Sequence, residues 1–452
     1  MTISKEYSVN SLFRVLFWIF LALFTVWLYP DNDSYFWIIL SLAICASCIY
    51  FIFDLKNSVS FAFSLHNILW LSILLYGLTF YIISSFINLS LLFNITDFSI
   101  KYGAFISILS ISICGITLEL LRPTAVRLHM IILNQFSAQP YSRQYYLALF
   151  FLIIYAYNYI NTGVLFLIST ESRLIITVAF ESGKMWLIQY LMTGVSIAFI
   201  YEYFFSNKRK NFQFYIGIFS ISFFWILYAS LGSRRGLLSV VIALTFCYLA
   251  RKGRRFGSRA IFCFIGICLL FGFIAVIRQN TSDSTEENAL AIQLSNIFGE
   301  FIYPTFTLID SIQYQLQPSF EFTWISNLFY FFSSVIRGEP FLFLAHSFAI
   351  NVASPNSEVL GYAYLPITEG YNNFGFIGSL ISTSVLLSSV IILAILFQSY
   401  SWVYLILIAL SLDINRSEFA SMLIQFLIVV LGFLLTAKFN FCLKIKAKSA
   451  VN

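Results

Sequence analysis

The segment Gly232-Ser233-Arg234-Arg235-Gly236 sets two guanidinium groups side by side between the apolar runs 212–230 and 237–250. A charge flanked by long apolar runs is costly, and its retention points to a ligand of opposite sign. Arg278, Arg337 and Arg416 recur at the margins of other apolar runs. With Arg173, Lys184 and Lys101 they form a set in which six of eight cations are arginine. Arginine presents a planar fork that grips phosphate oxygens bidentately and keeps its charge when partly buried. Arg234, Arg235, Arg278, Arg337 and Arg416 together suit a phosphate-rich headgroup such as a pyrophosphate. The alternative for each is an ion pair with a neighbouring carboxylate, as for Arg173 beside Glu171 or Arg416 between Asp413 and Glu418.

A second constellation is Ile367-Thr368-Glu369-Gly370-Tyr371-Asn372-Asn373-Phe374-Gly375-Phe376-Ile377-Gly378. Its Asn and Gly residues shape a turn, and Gly375 and Gly378 permit close backbone approach. Glu369 is an acid where the chain re-enters an apolar run, a suitable place for a general base. It can equally be a partner that holds an arginine. Asn373 offers a polar amide beside it. His346, in Leu344-Ala345-His346-Ser347, is the rival base or a structural histidine.

The elements that must position these groups are apolar. Of 452 residues, 60% are hydrophobic and only 10% charged, which excludes an ordinary soluble domain. Continuous apolar runs of about 20 residues read as bilayer-crossing helices, and their lack of alternation excludes a barrel. The runs are 11–29, 35–53, 62–87, 99–119, 145–168, 186–205, 212–230, 237–250, 260–277, 375–398, 401–412 and 419–437. The first is too long for a cleaved signal and should remain as an anchor.

The basic clusters Lys208-Arg209-Lys210, Arg251-Lys252-Gly253-Arg254-Arg255 and Lys444-Ile445-Lys446-Ala447-Lys448 mark the cytoplasmic side. Arg14, Arg122 and Arg127 join them, with the few acids Glu119 and Glu202. The arginine set and Glu369 then lie on the opposite side. The chain divides into a membrane bundle over 1–277, a long outer loop over 278–374 and a final membrane portion with a basic tail over 375–452. The loop contains aromatic segments too short to cross, 324–336 and 341–350, which read as interfacial or re-entrant helices or as a compact cap. The segment 120–144 reads as an inner loop.

Other signals weigh less. Cys45-Ala46-Ser47-Cys48 lies inside an apolar run and reads as small packing residues. Asp31-Asn32-Asp33 follows Pro30 and reads as a turn. The three histidines are scattered, so no metal site or other cofactor is expected. The one-sided charge is a topology signal and no nucleic acid partner is expected.

The pairing of Gly232-Ser233-Arg234-Arg235-Gly236 with Glu369-Gly370-Tyr371-Asn372-Asn373-Phe374-Gly375-Phe376-Ile377-Gly378 resembles the Wzy-type O-antigen and oligosaccharide repeat-unit polymerases. The topology, with one long outer loop before the last spans, is similar over nearly the whole chain. The spacing from Arg173 to Gly183 is one residue short of the family's Arg-x10-Gly pattern. The resemblance implies an all-α polytopic membrane protein of the GT-C type, with about twelve crossings. It implies an inverting glycosyltransferase that joins repeat units carried on undecaprenyl pyrophosphate at the periplasmic face of the inner membrane. Its partners would be those lipid-linked oligosaccharides, membrane lipid and a polysaccharide chain-length regulator. In such an enzyme fixed arginines stabilise charge developing on pyrophosphate, and Glu369 or His346 deprotonates an acceptor hydroxyl. An O-antigen ligase would use the same donor with a different acceptor. A lipid-linked oligosaccharide flippase would instead place charge along a central pathway and show related halves.

Overall fold

A computed structural model of the protein describes residues 3–28, 64–86, 95–136, 145–161, 185–205, 212–230, 235–252, 301–302, 304–337, 364–414 and 418–436. Among these residues every regular element is a helix and no strand occurs. The helices are α1 (Ile3–Leu28), α2 (Leu65–Phe86), α3 (Asp97–Gln135), α4 (Tyr146–Asn161), α5 (Met185–Phe205), α6 (Phe212–Ser230) and α7 (Arg235–Lys252). After a helical stretch over 304–313 come α8 (Thr323–Arg337), α9 (Pro366–Leu396), α10 (Ser401–Ile414) and α11 (Phe419–Leu435).

These runs form helices because an apolar setting leaves the backbone no partner but itself. Their hydroxyls follow the same rule and donate one turn back: Thr25 to Leu21 O, Ser112 to Ile108 O, Ser196 to Met192 O. Five helices among the described residues are long and apolar enough to cross a membrane: α2, α3, α5, α6 and α9. The expected spans 35–53 and 260–277 lie outside the described residues.

One expected boundary moves. The segment 120–144 was expected as a loop, yet α3 continues unbroken from Asp97 to Gln135 and includes Pro123. The continuation is stabilised on one face, where Arg122, Ala125, Leu128, His129 and Ile132 are buried. Inside, the Arg122 guanidinium reaches Glu119 one turn back, at 3.3 Å. Helix α3 is the central post: α1, α2 and α9 pack against it. A second group joins α5 to α7 and α11, with α10 bridging α7 and α2. Helices α5 and α11 cross with backbones in contact, since a Cβ on Gly194 would collide with Val429 O and one on Gly432 with Leu191 O.

Contacts between helix ends sort the bundle into two poles. At one, Arg14 meets Glu119, His66 Nε2 lies 2.9 Å from Leu118 O, Tyr201 meets Ser401 and Tyr145 donates to Glu202. At the other, Thr96 N–H donates to Gln313, Thr307 meets Thr368, and Ser239 donates to Asp413. The described charges read from the sequence as sharing one side, Arg14, Glu119, Arg122 and Glu202, gather at the first pole. Glu369 and the start of α7 at Arg235 lie at the second.

Candidate functional site

The site is built on a reversal inside α9. Phe374 (φ −134°, ψ 19°) and Gly375 (φ 64°, ψ −148°) leave helical geometry. Gly375 takes the left-handed φ that only glycine adopts without strain. The short arm 366–373 then folds back on the long arm, so that Gly370 and Gly378 touch: a Cβ on either would collide with the other's carbonyl oxygen. In a straight helix these two residues would stand about 12 Å apart along the axis. The turn expected at Asn372, Asn373, Gly375 and Gly378 is thus present, and the long arm starts where the span 375–398 was read to begin. The freed carbonyls of Asn372 and Asn373 accept from the backbone N–H of Ser319 and Phe320, at 2.9 and 2.8 Å.

Glu369 sits on the short arm and is 1% exposed. Two neutral donors hold its carboxylate. The Thr323 hydroxyl donates to Oε1 at 2.9 Å, and the backbone N–H of Phe419 donates to Oε2 at 2.9 Å. Thr323 opens α8 and Phe419 opens α11, so the carboxylate lies at two helix N-termini, where unsatisfied N–H groups and the helix dipole favour negative charge. Asn373 Nδ2 donates to Thr323 Oγ1 at 2.7 Å, which aligns the hydroxyl for Glu369. The result is a chain, Asn373 to Thr323 to Glu369, in which each bond polarises the next. Among the described residues no cation forms an ion pair with Glu369; Arg234, Arg278 and Arg416, candidates for such a partner, lie outside them.

A second shell surrounds the carboxylate. Asn372 Nδ2 donates to the Tyr364 hydroxyl at 2.6 Å, and Thr307 and Thr368 hydroxyls lie 3.0 Å apart. Burial holds the Tyr364 phenol well above its ordinary range, and the nearby charges of Glu369 and Glu418 push it further in the same direction. Glu418, also 1% exposed, is the N-cap residue of α11. The sequence showed it only as one of the acids around Arg416. Thr323 carried no signal at all, because a threonine ahead of an amphipathic run looks like any helix start.

An open groove of about 440 Å³ adjoins this network, lined by Glu321, Phe322, Ile325 and Ser326. Thr323 lies in sequence between these residues and turns its hydroxyl to Glu369. Phe322 packs edge-on against Phe374 of the reversal, with ring centroids 4.9 Å apart.

Of the expected site residues, the structure brings Glu369 and Asn373 together. Arg235 is the first residue of α7, and Ser239, one turn on, donates to Asp413 near the end of α10. Arg337 ends α8, fourteen residues from Thr323, about 21 Å along the axis. It is exposed and its guanidinium donates to Ser333 Oγ, so it does not adjoin the carboxylate. Arg234, Arg278, His346 and Arg416 lie outside the described residues.

Chemically, the described residues offer in Glu369 a buried carboxyl held by a hydroxyl and a backbone N–H, with no described cation paired to it. A carboxylate so placed can take up a proton from an adjacent hydroxyl. Compared with known protein families, with curated proteins and with solved structures, the chain matches none.

Proposed function

We propose that the protein is an O-antigen-type polymerase, an inverting glycosyltransferase that joins undecaprenyl-pyrophosphate-linked oligosaccharide repeat units. In this reading about twelve crossings place the Glu369 pole on the periplasmic face of the inner membrane, since the basic clusters belong to the other side. The single observation that carries it is the Glu369 carboxylate, buried at two helix N-termini and held by Thr323 and Phe419. Glu369 removes the proton from the acceptor hydroxyl as the sugar oxygen attacks the anomeric carbon of the donor. The bond to pyrophosphate breaks and its electron pair leaves with the lipid diphosphate. Arg234, Arg235, Arg278 and Arg416 are the cations assigned to the departing charge, Arg337 standing at the far end of α8, and His346 is the rival base. Polymer growth then couples to a chain-length regulator.

The test is polymer formation by the purified protein in vesicles with synthetic undecaprenyl-pyrophosphate repeat units. Glu369→Gln keeps the shape and should lower turnover by about a hundredfold or more, while donor binding persists. A fully active Glu369→Gln beside a dead His346→Ala would move the base to His346. Transfer to lipid A core with no ladder would make the protein a ligase.

A further inference from the structure

Helix α8 shows three faces. One is buried against the bundle and carries Thr323, with the Trp324 ring 6.1 Å from that of Phe419. The second bears Ile325, Phe329, Phe332 and Ile336, spaced 4, 3 and 4 residues apart and between 46% and 85% exposed. Phe322, just ahead of the helix, continues this stripe into the groove beside Thr323. The third face is polar, with Ser326, Tyr330, Ser333 and Arg337. Fifteen residues give a length of about 22 Å, too short to cross a bilayer.

We infer that α8 is a membrane-surface arm: lipid acyl chains of the leaflet hold its apolar stripe, and the seated arm holds the Thr323 hydroxyl against Glu369. The bilayer is the occupant because the stripe belongs to a chain whose other helices already require one. The polar stripe adjoining it matches the water side of a helix lying in the interface. A single rigid helix joins the two ends of the argument. Its outer stripe meets lipid, and its first residue donates to the carboxylate and accepts from Asn373. Thr323 is thereby a positioning residue that acts through Glu369. The seating itself does not depend on which reaction Glu369 serves; the coupling to turnover rests on the polymerase reading.

The experiment places a nitroxide at single cysteines along α8 of the full chain in phospholipid vesicles, with the unsubstituted protein as background for its seven native cysteines. Collision with oxygen, which partitions into lipid, should dominate for Ile325→Cys, Phe329→Cys, Phe332→Cys and Ile336→Cys. Collision with a water-soluble nickel chelate should dominate for Ser326→Cys and Ser333→Cys. A stripe open to the chelate would overturn the seating, and a stripe closed to both reagents would show that protein covers it. The coupling has its own readout. Thr323→Val and Phe329→Asp should displace the pH profile of turnover in the same direction, and Thr323→Ser should restore it. A Phe329→Asp profile unchanged beside a displaced Thr323→Val profile would sever the arm from the site. An unsubstituted protein without polymerase activity would refute the function while leaving the collision data intact.

Discussion

Two carboxylates are buried at opposite poles of this molecule, and they are held in opposite ways. Glu119, on α3, faces the guanidinium groups of Arg14 at 3.4 Å and Arg122 at 3.3 Å. Glu369, on the short arm of α9, faces a threonine hydroxyl and a backbone N–H. The first is compensated by charge. Its pair with Arg14 ties α1 to α3. The second is held by a hydroxyl and a helix N-terminus, with no described cation paired to it. The lesson is that burial alone does not characterise an acid; the nature of its donors separates the two. A sequence shows both as single acids near apolar runs and does not separate them.

The largest effects should come from treating the two acids identically. Glu369→Gln should remove polymer formation and leave the protein's thermal stability close to that of the parent. Glu119→Gln should do the reverse. It takes from Arg14 and Arg122 the buried carboxylate they share, at a cost of about 3 kcal/mol or more. The expected result is a lower Tm in detergent with turnover per folded molecule preserved. A stable Glu119→Gln, or an unstable Glu369→Gln, would break the contrast.

An intermediate effect should follow at the reversal that carries Glu369. Gly375→Ala forces a β-carbon onto a positive-φ backbone (φ 64°, ψ −148°) that essentially only glycine adopts, at about 1–3 kcal/mol. The added carbon would also stand 3.3 Å from Pro318 Cγ. Turnover should fall more than stability, because the short arm shifts against α8 and α11. Asn373→Ala, assayed beside it, should lower turnover about tenfold through the loss of its bond to Thr323.

The smallest effect concerns Asp310, in the helical stretch beside the site. Burial pushes its carboxyl up to about 6 from an ordinary 3.8. A group whose native pKa is raised costs nothing while it is protonated in both states. The penalty grows as pH rises from about 3.8 to about 6 and is constant above. Asp310→Asn should therefore gain up to about 3 kcal/mol at pH 7 and little near pH 4, as read from Tm across pH.

The fold was legible where physics is one-dimensional. Apolar runs of bilayer length at 65–86, 185–205 and 212–230 became helices with ends close to those expected. The expectation failed at 120–135, where arginines suggested a loop. A charge reads as solvent-facing until its partner is known, and Glu119 is that partner only once helical spacing is imposed. In the site, Glu369, Asn373 and the glycines of the turn stood out by type. Thr323 and the Phe419 amide did not, because hydrogen bonds between residues 46 and 50 positions apart leave no trace in local pattern.

Those separations also set the order in which the pocket can come into being during synthesis. Thr323 is made before Glu369, but the amide of Phe419 follows 50 residues later. A nascent chain that has reached residue 400 already contains Arg234, Arg235, Arg278, Arg337, His346 and Glu369. Its carboxylate still lacks one of its two donors and the helix terminus that favours its charge. Activity should therefore switch on late and abruptly as translation passes residue 419, with no partially competent truncated forms before it.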